Sequence, residues 1–339
     1  NRAIQLDPNA AVDAYISRGG LKTEKLNDPQ GSLADYNRAI EIDPNYTIVY
    51  YLRGGLKMIE LKDTQGGLTD FNRAIQLDPN AANAYYGRGI LKAYDLNDPQ
   101  GGLADLKRAI QLDPNYAIAY YVRGNIKAGK LNDPQGGLAD YNRAIQLDPN
   151  NASAYSNRGF IKANKLNDPQ GGLADLNRAL QLDPNNASAY SNRGFIKPGK
   201  LNDPQGGLAD LNRALQLDSN LAGASKKRGF IKANKLNDPQ GGLADLNRAI
   251  SRDSNDEEAY SWRGLLKYDL LKDRAGAISD IRQAAKLYQQ QGNLKDYQAA
   301  IDALKKIEGQ NSQPIVTKPS NAEGYDRQGD RNAGAGNYR

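Results

Sequence analysis

The chain of 339 residues has neither cysteine nor histidine, and it has only one methionine and one tryptophan. These absences remove the commonest thiol nucleophile, the preferred zinc ligands and the usual general base near neutral pH. A disulfide framework is excluded, although cysteine-free proteins occur on both sides of a membrane. No apolar run reaches the roughly 20 residues that span a bilayer, and no signal peptide is visible after Asn1. The sequence therefore predicts a soluble, non-enzymatic protein without a cofactor or a metal, either cytoplasmic or secreted.

A large excess of charge of one sign is also absent. The 45 lysine and arginine residues and the 39 aspartate and glutamate residues give a formal net charge of only +6. Basic residues such as Arg158 and Lys162 recur at fixed positions along the chain, and Asp175 and Asp183 recur as often. Nucleic-acid-binding proteins carry clustered basic stripes, whereas interleaved charges are typical of a solvated surface. We therefore predict no nucleic-acid partner.

What the sequence does contain is a 35-residue repeat marked by an Arg-Gly pair. The arginines of this pair lie 35 residues apart along the chain: Arg18, Arg53, Arg88, Arg123, Arg158, Arg193, Arg228 and Arg263. Two copies, residues 151–185 and 186–220, differ at only three positions. A period between 20 and 50 residues indicates a solenoid, in which each unit buries its apolar face against its neighbours. Such near-identity favours a stacked scaffold over a single catalytic pocket.

Within the copy at residues 151–185, helix signals divide the repeat into two halves. The first half predicts a helix that ends near Lys165. Asp168 and Pro169 then fit the N-cap and the first position of a second helix. Pro184 ends that helix because proline cannot continue the hydrogen-bond ladder. Each repeat is thus predicted to be a helical hairpin.

Aromatic, small and proline residues of this copy resemble the tetratricopeptide repeat in their spacing: Tyr155, Gly159, Gly172, Leu176, Ala179 and Pro184. The resemblance covers residues 1–291. It implies an all-α fold, a right-handed α-solenoid of tandem helical hairpins with a C-terminal capping helix. It also implies a protein–protein interaction scaffold whose concave face binds a protein or a peptide. Pentatricopeptide repeats, which bind RNA, also have 35 residues, but the closing ALQLDPN segment is typical of the tetratricopeptide class.

The resemblance divides the chain into four segments. Residues 1–9 match only the end of a second helix, and residues 10–291 hold eight repeats. Residues 292–309 predict a capping helix, and residues 310–339 a Gly- and Asn-rich tail that includes a possible degenerate repeat start. These incomplete ends leave two alternatives open. Either the chain is a structural subunit that assembles with other copies of itself, head to tail, into a filament, or it is a fragment of a longer protein.

Two columns of residues do not change along the array, the arginines above and one aspartate in each repeat. The aspartates are Asp35, Asp70, Asp105, Asp140, Asp175, Asp210, Asp245 and Asp280. An unpaired buried guanidinium is costly, so we predict that the arginines pair with the aspartates in most repeats. A ladder that binds phosphate or carboxylate groups is the alternative.

Other columns, on the predicted first helices, vary from copy to copy and are expected to hold any specificity. In this family the first helices line the concave face, so we predict partner-binding residues there. They are Tyr51, Tyr86, Ile90, Tyr94, Tyr121, Asn125, Ser156, Asn164, Ser191, Lys226 and Asn234. Tyrosines dominate the N-terminal half, and tyrosine suits interfaces because a large rigid ring ends in a polar group. The alternative is that some of these tyrosines only pack against the adjacent repeat.

Three local features give narrower predictions. Proline is costly inside a helix, so Pro198 predicts that its helix ends within a residue or two of Lys197. The recurrent LNDPQGG turn places Asn and Asp residues in a row, which N-capping explains and calcium binding would explain only as an alternative. Triplets at Asn45, Asn151 and Asn186 match the N-glycosylation pattern, which matters only in a secreted protein.

Overall fold

The computed structural model of the chain describes residues 8–309, and it contains no strand in that range. The described chain falls into two compact units, of which the first ends at Pro149 and the second begins at Asn150. In each unit, helices pair into hairpins, and the second helix of one hairpin packs against the first helix of the next. The apolar core of each unit therefore runs along its stack of hairpins.

Four hairpins form the first unit. Their helices are α1 (Pro8–Leu26), α2 (Pro29–Ile42), α3 (Thr47–Ile59), α4 (Thr64–Leu77), α5 (Ala82–Tyr94), α6 (Pro99–Leu112), α7 (Ala117–Asn125) and α8 (Pro134–Leu147). A single π-helical turn, Ile126–Lys130, extends α7.

The second unit contains four more hairpins and one further helix. Its helices are α9 (Ala152–Asn164), α10 (Pro169–Leu182), α11 (Ala187–Lys200), α12 (Pro204–Leu217), α13 (Ala222–Lys235), α14 (Pro239–Arg252), α15 (Glu257–Asp269), α16 (Arg274–Gln290) and α17 (Leu294–Gly309). Odd-numbered helices up to α15 are the first helices of their hairpins, and even-numbered helices are the second helices.

The turn inside each hairpin uses the same local chemistry throughout. In the third hairpin Asn97 has a positive φ of 52°, a conformation that asparagine tolerates better than most residues. Asp98 follows, and its carboxylate accepts the N–H of Gly101 at 2.9 Å. This bond satisfies one of the unpaired N–H groups at the start of α6. The N-cap role predicted for the aspartate of the LNDPQGG turn is confirmed in every hairpin.

Asn151 and Asn186, two of the residues in glycosylation-like triplets, cap first helices in the same way. Their side-chain oxygens accept the N–H groups of Ala154 and Ala189 at 2.8 and 2.9 Å. The predicted cap of the first helix at Asn151 is therefore confirmed, whereas modification of these asparagines stays a prediction that depends on the compartment.

Glycine lies where the two helices cross in six of the eight hairpins, and Ser32 and Ala277 take this position in the first and the last. A Cβ atom placed on Gly102 would lie 2.6 Å from the carbonyl oxygen of Gly89 and 2.7 Å from the Cβ atom of Ala93. The backbones of α5 and α6 therefore approach too closely for a side chain. This close approach is the physical reason for the second glycine of the Gly-Gly pair.

The predicted early end of α11 at Pro198 is wrong, because the helix continues through Pro198 to Lys200. Proline lies in the last turn, where its fixed φ fits a helix and only the bond to the carbonyl of Gly194 is lost. The N–H of Leu201 still reaches the carbonyl of Lys197 at 3.2 Å. The proline ring is buried against Gly207, which has no side chain to oppose it.

At the two ends of the described chain the pattern departs from a regular hairpin. At the N-terminal end the described part of α1 starts at Pro8, and the partial repeat predicted for residues 1–9 stays a prediction. At the other end α17 packs Leu304 and Ile307 against Tyr288 of α16. The Gly- and Asn-rich tail and its possible repeat start lie outside the described residues, as do residues 1–7.

Candidate partner-binding faces

The arginine of each Arg-Gly pair forms a two-pronged ion pair with the aspartate of its own second helix. The pairs are Arg18–Asp35, Arg53–Asp70, Arg88–Asp105, Arg123–Asp140, Arg158–Asp175, Arg193–Asp210, Arg228–Asp245 and Arg263–Asp280. In every pair the Nε–Oδ2 distance is 2.8 or 2.9 Å. The predicted pairing of the two invariant columns is confirmed.

A lysine one turn after each arginine completes the cluster, and the sequence prediction did not include it. In the first hairpin Lys22 approaches Oδ2 of Asp35 at 2.9 Å, and the same contact recurs in the other seven hairpins at 2.8 or 2.9 Å. Residues four apart lie on the same helix face, so the lysine column carried the signal. Burial alone would raise the pKa of Asp35, but hydrogen bonds from Arg18 and Lys22 together hold that pKa below its usual range.

The third guanidinium nitrogen of the arginine joins one hairpin to the hairpin before it. Nη1 donates to an asparagine of the preceding second helix at 2.7 or 2.8 Å in five hairpins. The pairs are Arg53–Asn37, Arg88–Asn72, Arg193–Asn177, Arg228–Asn212 and Arg263–Asn247. One arginine thus holds three helices together. Because all three nitrogens of these five arginines are engaged within the stack, the arginines serve packing rather than a ligand.

The variable residues lie at spacings of four along the first helices and share one side of each, which we name the first-helix face. In the first unit, Tyr86 and Tyr121 lie on this face but are only 6 % exposed. Their rings contact Tyr116 and Tyr141, with centroids 5.1 and 6.1 Å apart. Tyr51 is half-buried, with its ring 6.2 Å from that of Phe71.

The remaining predicted residues of the first unit surround these rings. Asn125 is buried and accepts a hydrogen bond from the hydroxyl of Tyr141 at 2.7 Å. Ile90 is buried, whereas Tyr94 is half-buried with the ammonium group of Lys130 5.5 Å from its ring.

Tyr116 belongs to the tyrosine cluster of the first unit, although the sequence analysis did not select it. It precedes α7 as its N-cap residue, so the four-residue spacing of the helical columns did not include it. Burial raises the pKa of Tyr116, and its neighbours Tyr51 and Asp113 raise it further. Burial raises the pKa of Tyr51 as well, so both hydroxyls lie in a desolvated environment.

In the second unit, four of the predicted residues are buried and one is exposed. Ser156, Asn164, Ser191 and Lys226 are buried. Asn234 is exposed, and its amide donates to the carbonyl of its own helix. Contact of these residues, and of those in the first unit, with a partner stays a prediction.

Four half-buried aromatic rings lie on the first helices of the second unit. They are Phe160, Phe195, Phe230 and Trp262, and we name them the aromatic row. Rings of Phe230 and Trp262 lie 4.9 Å apart between centroids. The phenylalanines belong to one variable column of the repeat, but they are not among the predicted partner-binding residues. Lys227, also not selected, lies against two rings of the row.

Residues 135–165, which span the end of hairpin four and the start of hairpin five, match the family described as the TPR repeat. Tandem hairpins with the same packing lie on both sides of that match. The chain contains tetratricopeptide repeats. Its all-α fold of stacked hairpins, as predicted, is confirmed. A comparison with curated protein sequences gives no match.

Solved structures support the fold of this tetratricopeptide-repeat protein. The Cut9–Hcn1 hetero-tetramer of the APC/C is 18% identical with a TM-score of 0.68, covering 88% of this chain and 55% of that one. A tetratricopeptide repeat protein from Parabacteroides merdae is 15% identical with a TM-score of 0.59, covering 75% and 98%. Yeast Tom70 is 20% identical with a TM-score of 0.52, covering 89% and 60%. Identities this low establish the fold alone.

Among the helices of residues 8–309, none combines the length and the apolar character needed to cross a membrane.

Proposed function

We propose that this tetratricopeptide-repeat protein is a non-enzymatic scaffold that binds segments of partner proteins or peptides on the concave, first-helix face of its units. One observation carries the proposal. The residues that repeat without change are consumed in stacking, as in the Arg193–Asp210 pair with its bond to Asn177. Residues that differ between hairpins share the first-helix face, and they take no part in the arginine–aspartate–asparagine bonds.

The chemistry of this face suits a peptide partner. Tyr51 and Tyr94 in the first unit, and Phe195 in the second, keep part of their rings accessible. Aromatic rings provide large contact areas at low cost in conformational entropy and are enriched among the residues that dominate binding energy. Tyr86 and Tyr121 are buried beneath this surface. We expect them to hold the accessible rings in place, whereas Tyr51 and Tyr94 contact the partner.

A peptide library selected against the purified protein tests this proposal. Peptides obtained in this way are titrated against Y51A/Y94A, against F195A and against R178A/R213A, a control pair of exposed arginines on second helices. We expect about tenfold or greater loss of affinity in at least one first-helix variant and no loss in the control, with unchanged circular dichroism. A library that yields no peptide, or peptides insensitive to both first-helix variants, would contradict the proposal.

Self-association is a second candidate function, and it rests on Leu21 of α1. This side chain is 55% exposed, whereas its equivalents in the other seven hairpins are at most 5% exposed. In the sixth hairpin the equivalent, Ile196, is covered by Leu176 and Leu180 of the preceding second helix. An apolar face of this kind fits a helix of a second copy or a helix from a preceding segment of a longer chain. Exposed residues such as Lys295 and Lys306 make the surface of α17 polar.

Sedimentation over about a hundredfold concentration range separates the two candidates, because association depends on protomer concentration. Dimers that disappear in L21K, but persist in the control L294K on the exposed start of α17, would support association through the Leu21 face. A monomer at every concentration would exclude it and leave peptide binding unaffected.

A further inference from the structure

The seventh hairpin carries two buried lysines on a face where the other hairpins carry neutral residues. α13 has Lys226 and Lys227 where the hairpin before it has Ser191 and Asn192. Both lysine side chains are only 4% exposed. Lysine is almost never fully buried unless its charge is compensated. The groups around these two residues therefore show which chemistry this surface offers to a cation.

Lys226 lies in a small site made of carboxylates and an aromatic ring. Its Nζ atom lies 2.8 Å from Oε2 of Glu258 and 3.1 Å from both carboxylate oxygens of Asp256. The same ammonium group lies 5.7 Å from the ring centroid of Trp262, which itself packs on Phe230. Two carboxylates and the face of an indole ring form a site for an ammonium ion.

Lys227 occupies the other end of the aromatic row. Its Nζ atom lies 5.3 Å from the ring centroid of Phe195 and 5.6 Å from that of Phe160, so one ammonium group contacts rings from the two preceding hairpins. Cations are attracted to the negative face of an aromatic ring, and the attraction grows when water is excluded. Each end of the aromatic row thus already holds a cation.

We propose that the aromatic row of the second unit is a binding surface for the cationic side chains of a basic peptide. In the free protein Lys226 and Lys227 occupy this surface as internal stand-ins, and the peptide displaces them. The inference rests on the proposed use of the first-helix face, and it names the chemistry of the partner. Once the two lysines are displaced, the carboxylates of Asp256 and Glu258 remain at this surface, which favours a basic peptide over an acidic one.

Displacement of the internal lysines replaces one cationic side chain with another at the same rings and carboxylates. A lysine or arginine of the peptide gains the same rings and carboxylates, while Lys226 and Lys227 regain their hydration. Competition with the internal lysines lowers the apparent affinity by the fraction of molecules in which the surface is open. Removal of the stand-ins should therefore strengthen the binding of a basic peptide.

The variant K226S/K227N provides the test, since it copies Ser191 and Asn192 from the neighbouring hairpin. The probe is a capped hexalysine peptide, with hexaglutamate as its opposite. Trp262 is the only tryptophan of the chain, so its fluorescence reports directly on this site. We expect about tenfold tighter hexalysine binding by the variant than by the unchanged protein, with a change in Trp262 emission.

A charge-matched control separates the site from a general electrostatic effect. The variant K295Q/K306Q removes two exposed lysines of α17 and should leave hexalysine affinity unchanged. Adding F195L to K226S/K227N should reverse most of the gain. Should K226S/K227N lose helical signal, K227N alone opens the Phe160 and Phe195 rings and keeps the Lys226 ion pairs, and calorimetry then measures its gain.

Three outcomes would overturn the inference: equal gains in the α17 control, no change in hexalysine affinity, or preferential binding of hexaglutamate. Peptides that depend on Tyr51 and Tyr94 would still bind in each case, so these failures leave the proposed scaffold function standing.

Discussion

Replacement of Arg228 by methionine tests whether the arginine of each hairpin holds three helices together. Its Nε atom lies 2.8 Å from Oδ2 of Asp245, Nη2 bonds the other carboxylate oxygen, and Nη1 lies 2.8 Å from Asn212. Methionine retains an apolar stem of similar length and removes all three bonds. Asp245 would remain 2% exposed, with Lys232 at 2.9 Å as its remaining partner in the cluster.

The magnitude follows from the burial of the two partners. Removal of one member of a buried ion pair costs about 3–5 kcal/mol. The side chain of Arg228 is 14% exposed and Lys232 remains in place, so solvent and the second cation reduce this cost. We expect R228M to lower the free energy of unfolding by about 2–3 kcal/mol. R248M, at an exposed position of α14, should change it by less than about 0.5 kcal/mol.

Guanidinium denaturation followed by circular dichroism measures the global effect. Hydrogen exchange in α13 and α14 measures the local one, because repeat arrays unfold partly repeat by repeat. A double-mutant cycle with D245N isolates the pair, and we expect a coupling energy of at least about 1.5 kcal/mol. Equal losses in R228M and R248M, or additive effects in the cycle, would refute the three-helix role.

The same pair predicts a pH dependence with a definite sign. Burial alone would raise the pKa of Asp245, but hydrogen bonds from Arg228 and Lys232 lower it below its usual range. A lowered folded-state pKa stabilises the protein above the unfolded value of about 3.9 and loses this contribution as pH falls through the folded value. The stability difference between the unchanged protein and R228M should therefore be largest near neutral pH and should narrow below about pH 4. A constant difference across this range would contradict the assignment.

Denaturation midpoints check three further predictions. G102A should destabilise the protein by about 1–3 kcal/mol because two helix backbones meet at this position. G199A, with open space around its Cβ position, should be neutral or slightly stabilising. Equal effects of the two variants would contradict the packing argument. K107N should stabilise by about 1 kcal/mol by giving Arg123 the asparagine acceptor of its counterparts, and a loss would refute this. N97A should lower the free energy of unfolding by about 1 kcal/mol, because alanine is strained at the positive φ of this position. N97G should lower it less, because glycine adopts a positive φ readily.

The fold could be predicted because its signals are local and occur eight times. An aspartate followed by a proline marks the start of α10, and Pro184 marks its end two residues after Leu182. The error at Pro198 has a physical cause. The penalty for proline applies to a helix interior, but this proline lies in a last turn that Leu201 still closes and packs on Gly207, which leaves room for its ring.

Contacts of the candidate site could be predicted only where both residues belong to the same hairpin. Arg158 and Asp175 were predictable because both columns are invariant and lie within one repeat. Lys227 was not, because its contacts with Phe160 and Phe195 depend on how three successive first helices approach one another. That approach is set by packing between hairpins, which a single repeat does not encode.

Comparison of the sixth and seventh hairpins shows why the first-helix face can acquire new chemistry. The Nε–Oδ2 distance is 2.8 Å in both Arg193–Asp210 and Arg228–Asp245, although Ser191 on one first-helix face is replaced by Lys226 on the other. Stacking bonds therefore do not change when the face changes from hydroxyl to ammonium. Because the two sets of residues occupy different positions on the same helix, a substitution on the face alters what the protein binds and leaves the arginine–aspartate bonds in place. This separation favours a binding scaffold, and it predicts that exchanges such as K226S/K227N change affinity without unfolding the hairpin.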